Sequence, residues 1–226
     1  MLFGAKASHD KKKRKEQERR IRYSNFIQAI EKGDDNIANV KKFHHSTFVV
    51  SSWNCQTSPP IYFAASKGYT EIVKYLLDRG HSPVTANQFG YRPLCVAAAR
   101  GNLKIVALLL SKYSNFQKEY YISNEVDRDT PLHFAALGNH LDVVMYLIEN
   151  GVSVNKTNYS MESALHIAAR KGHEEIVKYL CSNGADINLE DKNGKTPLFV
   201  AADNLSDNVK DLLRGVDYSL LHKMGR

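Results

Sequence analysis

Apolar residues along the chain gather into short blocks at helical spacing, with polar turns between them. Ile72-Val73-Tyr75-Leu76-Leu77 lies on one stripe of a helix, and Ile105-Val106-Ala107-Leu108-Leu109-Leu110 is a longer apolar run of about a turn and a half. Before such stripes stand blocks with a shared pattern: Pro59-Pro60-Ile61-Tyr62-Phe63-Ala64-Ala65, Arg92-Pro93-Leu94-Cys95-Val96-Ala97-Ala98, Thr130-Pro131-Leu132-His133-Phe134-Ala135-Ala136, Ser163-Ala164-Leu165-His166-Ile167-Ala168-Ala169 and Thr196-Pro197-Leu198-Phe199-Val200-Ala201-Ala202. Their second positions are 33, 38, 33 and 33 residues apart, so one interval carries five extra residues. A second marker keeps the same rhythm at Gly68, Gly101, Asn139, Gly172 and Leu205, and a third at Gly80, Tyr113, Gly151, Gly184 and Asp217. Such self-similarity makes the chain a repeat array.

Each repeat reads as two helices. Thr followed by Pro is a helix cap and a first-turn proline. The alanine pairs permit close packing, and glycine, or Asn139 in its place, ends the first helix in a left-handed conformation. The second helix carries the apolar stripe. One such pair cannot bury its own face, so neighbours must stack. The expected fold is an all-α repeat solenoid of helix-turn-helix pairs, with about six repeats and degenerate caps. Phe26-Ile27-Ala29-Ile30, Gly33-Asp34 and Ile37-Val40-Phe43 read as the first cap, two short helices about a glycine turn. The last repeat is degraded by Leu205 and Lys210. The expected organisation is a basic tail, 1–22, disordered or helical; a repeat domain, 23–219; and a short tail, 220–226. Within the domain the first cap is 23–53 and the repeats are 54–86, 87–124, 125–157, 158–190 and 191–219.

The segment 163–188, Ser-Ala-Leu-His-Ile-Ala-Ala-Arg-Lys-Gly-His-Glu-Glu-Ile-Val-Lys-Tyr-Leu-Cys-Ser-Asn-Gly-Ala-Asp-Ile-Asn, closely resembles an ankyrin repeat, and the resemblance covers about residues 54–214. It implies a protein-binding array whose concave face comprises the hairpin tips and the first helix of each pair. Carried over residue by residue, that face includes Gln88, Phe89, Tyr91, Arg100, Asp127, Asp129, Leu137, Tyr159, Glu162, Arg170 and Lys192. Aromatic and arginine side chains are the usual hot-spot types, so the expected partner presents an apolar patch with mixed or acidic charge. The resemblance also implies a structural role for His133 and His166, hydrogen bonding to backbone of the adjoining turn. Leu180 with Asp186-Ile187-Asn188 resembles the hairpin context that asparaginyl hydroxylases use in eukaryotic ankyrin proteins, which makes Asn188 a candidate hydroxylation site; Asn also simply suits such a turn.

Charge divides the chain. Residues 1–22 hold nine Lys/Arg against three Asp/Glu, and the other residues carry a net charge of only +1. Lys11-Lys12-Lys13-Arg14-Lys15 resembles a nuclear import signal. Contact of this tail with nucleic acid or an anionic membrane is the charge-based alternative. No run approaches the roughly 20 apolar residues of a membrane span, and no secretory signal or myristoylation glycine is visible at the start. The three cysteines, Cys55, Cys95 and Cys181, are scattered singly, as suits a reducing compartment. The expectation is an intracellular monomer, cytoplasmic or nuclear.

Two segments depart from the period. Residues 43–56, with Phe48, Val49, Val50 and Trp53, either cover the first helix pair or anchor a partner. The insertion, between Lys112 and Glu125, carries Tyr113, Phe116, Tyr120 and Tyr121, which either anchor a partner or fold back on the array. Tyr113 replaces a helix-ending glycine, so its helix is expected to run on. Neither a Ser/His/Asp order, an H-E-x-x-H motif nor a Gly-rich phosphate loop occurs. No catalysis, cofactor or metal is expected. The function expected is that of a protein-binding adaptor or scaffold, and the other reading is a host-directed effector of an intracellular microbe.

Overall fold

Inner and outer helices alternate along the chain, as the repeat pattern requires. The structure, a computed structural model, describes residues 2–44, 58–113, 127–203 and 207–215. Within them the α-helices are α1 (Leu2–Glu31), α2 (Ile37–Phe43), α3 (Pro60–Lys67), α4 (Thr70–Asp78), α5 (Pro93–Ala99), α6 (Leu103–Leu110), α7 (Pro131–Leu137), α8 (Leu141–Glu149), α9 (Ala164–Lys171), α10 (Glu174–Ser182), α11 (Pro197–Asp203) and α12 (Asp207–Gly215). The odd-numbered helices pack in sequence to form one layer, and the even-numbered helices form the other. Ala64-Ala65, Ala97-Ala98, Ala135-Ala136 and Ala168-Ala169 are fully buried where inner helices approach each other. The outer helices contribute Ile72, Val73, Leu76, Ile105, Leu109, Val143, Leu147, Ile176 and Leu180 to the same continuous core.

The helix ends follow their sequence signals. Pro93, Pro131 and Pro197 open α5, α7 and α11. Thr130 and Ser163 cap α7 and α9, with histidine in the place where glutamate usually completes the reciprocal pair. Asn139 is left-handed, at φ 59°. After three of the left-handed turns one side chain reaches back to the preceding repeat. Tyr69 Oη donates to Glu31 O at 3.4 Å, His140 Nε2 lies 3.1 Å from Ala99 O, and His173 Nε2 lies 3.4 Å from Leu137 O.

Two expectations are corrected. The first cap is not a pair of short helices, because α1 has thirty residues and runs unbroken from the basic segment into the fold. Among its described side chains, those that pack into the core lie at its end: Phe26, Ala29 and Ile30, with Tyr23 and Ile27 beside them. The helix before the insertion does not run on through Tyr113 either. It ends at Leu110, and Tyr113 is buried, its hydroxyl donating to Pro83 O at 3.2 Å. A tyrosine thus fills with packing the place where glycine supplies backbone freedom elsewhere. Phe116, Tyr120, Tyr121 and all of residues 45–56 lie outside the described residues, so the use of those aromatics is not placed.

Candidate protein-binding face

The turns between repeats project as fingers, and a side chain at the base of three of them shapes the tip. Asn87 Oδ1 accepts the N–H groups of Phe89 and Tyr91, both at 2.9 Å. Asn158 Oδ1 does the same for Ser160 at 2.9 Å and Glu162 at 3.0 Å, and Asp191 Oδ1 for Asn193 at 2.7 Å and Lys195 at 3.0 Å. Local bonding of this kind is what favours Asn and Asp in tight turns. Neighbouring fingers are joined by backbone: Tyr159 N–H donates to Asp127 O at 2.8 Å and Lys192 N–H to Ser160 O at 3.0 Å. Asn158 Nδ2 donates to Asp129 Oδ1 at 2.8 Å.

The motif histidines fasten these fingers to the inner layer. Thr130 N–H donates to His133 Nδ1 at 3.1 Å, which leaves the proton on Nε2 to donate to Glu162 O at 2.9 Å. His166 repeats the arrangement with Ser163 N–H and Lys195 O, both at 3.1 Å. Burial pushes both histidines below the usual imidazole pKa. Each is thus a neutral structural bridge. Cys95 stands in the same slot one repeat earlier, its Sγ 4.0 Å from Asp129 O. Burial raises its thiol pKa to about 12, so thiolate chemistry at neutral pH is closed to it. Phe199 holds the slot in α11 and is exposed.

The sequence-derived face residues fall into distinct groups. Phe89 and Tyr159 leave more than half of their surface exposed, and Leu137 nearly half. Tyr91 is half-buried, edge-on to Phe134 with ring centroids 6.1 Å apart. Glu162 pairs with Arg170; the hydrogen bond to Glu162 holds the Arg170 pKa above its ordinary value. Gln88, Arg100, Asp127 and Lys192 are exposed. A cleft of about 300 Å³ opens between the last two fingers, lined by Glu162, Arg170, Asp191, Lys195, Val200 and Asp203. Asn188 is exposed, its N–H donating to Asp186 Oδ1 at 2.9 Å. Asn155, one repeat earlier, is tied to the next turn: it donates to Gly184 O at 3.0 Å and accepts from Asp186 N–H at 2.8 Å. Lys11, Lys13, Arg14 and Lys15 are exposed along α1. Among the described residues no group of three or more His, Cys, Asp or Glu is arranged to hold a metal ion. None of their helices is long and apolar enough to cross a membrane.

Three residues of this surface were missed from the sequence: Arg128, Met161 and Phe199. Arg128 and Met161 both adopt φ 58°, in the slot that glycine fills as Gly90 and Gly194 in the other fingers. Aligning the fingers on those glycines would have found both. Phe199 is visible by alignment with His133 and His166, once the array is known to lack a described finger beyond it to receive a bond.

A family model described as ankyrin repeats matches in three copies, over residues 26–120, 116–191 and 156–221. The chain belongs to the ankyrin repeat family, whose repeats serve in general as protein-binding modules without catalytic activity of their own. It is 31% identical over 99 residues to E3 ubiquitin-protein ligase XBAT33 of Arabidopsis thaliana, covering 44% of this chain and 18% of that protein. It is 35% identical over 100 residues to alpha-latrocrustotoxin-Lt1a of Latrodectus tredecimguttatus, covering 44% of this chain and 7% of the toxin. With protein fem-1 homolog A-like of Mus musculus the identity is 35% over 83 residues, or 37% of this chain and 12% of that protein. The matched stretch is thus less than a fifth of each of these relatives' length.

Proposed function

We propose that the chain is an adaptor that holds a protein partner on the face formed by its fingers and inner-helix ends. The observation that carries this reading is the row of exposed Phe89, Leu137 and Tyr159 beside Arg100 and Arg170, on repeats whose motif residues are otherwise spent on the fold. Aromatic and arginine side chains, here Phe89, Tyr159, Arg100 and Arg170, are the types that dominate interface hot spots, with Leu137 adding apolar area. The test is affinity purification with the full chain and its Phe89→Ala/Leu137→Ala variant, followed by mass spectrometry. Both side chains are exposed, so folding is expected to be unchanged while a partner is lost. A partner set identical for the two proteins would remove this face from consideration.

A second function is ascribed to α1. The exposed Lys11, Lys13, Arg14 and Lys15 support import into the nucleus as a role separate from partner binding. Replacing these four by glutamine is expected to abolish nuclear accumulation of a fluorescent fusion and to leave partner capture intact. We read the adaptor as a monomer, in the cytoplasm or nucleus.

A further inference from the structure

The fingers differ at one backbone position. Gly90 and Gly194 hold it at φ 76° and 70°, and Arg128 and Met161 hold it at φ 58°. Left-handed backbone crowds the Cβ of an L-residue, and Asn or Asp tolerates it better than a long side chain does. Neither side chain is spent on the fold. Met161 leaves more than half its surface exposed. Arg128 lies over the Tyr159 ring, 5.5 Å from guanidinium carbon to centroid, and forms no ion pair among the described residues. The nearby carboxylates are engaged: Asp129 accepts from Asn158, and Glu162 pairs with Arg170. Lys192, on the next finger, is exposed and likewise forms no ion pair among the described residues. An apolar pair, Tyr159 and Met161, therefore stands between two cations that form no ion pair among the described residues, Arg128 stacked on Tyr159 and Lys192 open, on three fingers joined by backbone hydrogen bonds.

We infer that these tips seat an extended acidic–apolar segment of the partner protein. An aliphatic or aromatic side chain rests against Tyr159 and Met161, one carboxylate is held by Arg128 and another by Lys192. The planar guanidinium matches a carboxylate with two parallel N–H donors, whereas Lys192 acts as a point charge. Neighbouring helices pack about 8–10 Å apart, so cations two fingers apart are separated by about 16–20 Å. An extended chain advances about 3.3 Å per residue, which places the two acidic residues about five to six positions apart with the apolar residue midway. This assignment rests on the protein-binding reading above and names the chemistry of its partner.

The test is a displayed library of random twelve-residue peptides selected on the full chain. Selected peptides are then titrated by fluorescence polarisation against wild type, Arg128→Gly/Met161→Gly, Arg128→Asn/Met161→Asn and Phe89→Ala/Leu137→Ala. The expected peptides carry an apolar residue between acidic residues at the stated spacing. Their affinity is expected to fall about tenfold or more on both the Gly and the Asn variants. The Asn pair keeps residues suited to the left-handed turn, so an equal fall there assigns the loss to the missing side chains rather than to a slack backbone. The Tm of the Gly variant is expected to hold or to rise by up to about 4 °C, since glycine relieves the crowding. Peptides that bind both of these variants as tightly as wild type, yet lose affinity on Phe89→Ala/Leu137→Ala, overturn this inference and leave the adaptor reading standing. Enrichment of basic or uncharged peptides overturns the charge assignment, and a Tm fall greater than about 4 °C assigns Arg128 and Met161 to folding instead. A library that yields no binder overturns this inference, while the adaptor reading is decided by the affinity purification above.

Discussion

His140 sits in a space that only glycine leaves open. A Cβ added to Gly101 would lie 2.4 Å from His140 Nδ1, and one added to Gly138 would lie 2.6 Å from Cδ2 of the same ring. Gly101 also has φ 69°. Gly101→Ala therefore meets both a clash and a disfavoured backbone, and a loss of about 2 kcal/mol in urea unfolding is expected. In a His140→Ala background the clash is gone and only the backbone cost remains, so a double-mutant cycle should show a coupling of about 1 kcal/mol. Purely additive losses would refute the interlock. His133 offers a second residue-scale test. His133→Ala orphans the buried Thr130 N–H and removes the donor to Glu162 O; the expected cost is about 2–3 kcal/mol, read by the same titration. The slot of this histidine was legible in the sequence because it recurs. Arg128 and Met161 were not, because nothing in either residue type announces a left-handed backbone; only comparison with Gly90 and Gly194 does.

Among the elements, the helix pairs were legible from period and capping alone, and so was the close packing of the alanine pairs. The length of α1 was not. Its first two-thirds lack an apolar stripe, and a polar helix without a core face leaves no mark in the hydrophobic pattern. Asp34, in the turn after α1, also reaches beyond its own repeat: its carboxylate oxygens accept Glu71 N–H at 3.3 Å and Ile72 N–H at 3.0 Å, so it caps α4 of the next repeat. The packing of α1 defines a sharp contrast. Deleting residues 2–20 should shift Tm by no more than about 2 °C, because among the described side chains of α1 the buried positions begin at Phe26. Phe26→Ala, in contrast, should cost about 3–5 kcal/mol. A large loss on deletion would show that the outer part of α1 is packed after all.

At the scale of the molecule, a histidine pair interrupts the apolar seam of the described residues. His81 occupies the slot that Val152 and Ala185 fill in later repeats, and its Nε2 meets His44 Nε2 at 3.1 Å, with Tyr75 Oη 3.3 Å from His44 Nδ1. Burial first, and the nearness of His44 second, lower the His81 pKa to about 4. The unfolded chain takes up this proton near pH 6.5 and the folded chain only near pH 4. Stability is therefore whole above about pH 6.5 and declines as pH falls toward about 4, by on the order of 2–3 kcal/mol from this group. His133 and His166, lowered by burial, act in the same direction. Thermal unfolding of wild type and His81→Val at pH 7.5 and about 4.5 should show a markedly smaller acid loss in the variant. Equal losses would clear His81. Because stability in a stacked array is built from neighbour contacts, the acid loss should appear first in amide exchange of α2 and α4.

The unbroken course of α1 has a geometric consequence. A helix rises 1.5 Å per residue, so the basic cluster near Lys13 stands about 20 Å along the axis from Phe26, where the helix enters the core. The basic cluster is thereby held about 20 Å from the core by a rigid rod rather than on a loose tail. Inserting whole turns of helix between Arg22 and Phe26 lengthens this spacer and keeps its bearing, whereas inserting half-turns swings the cluster to the opposite side.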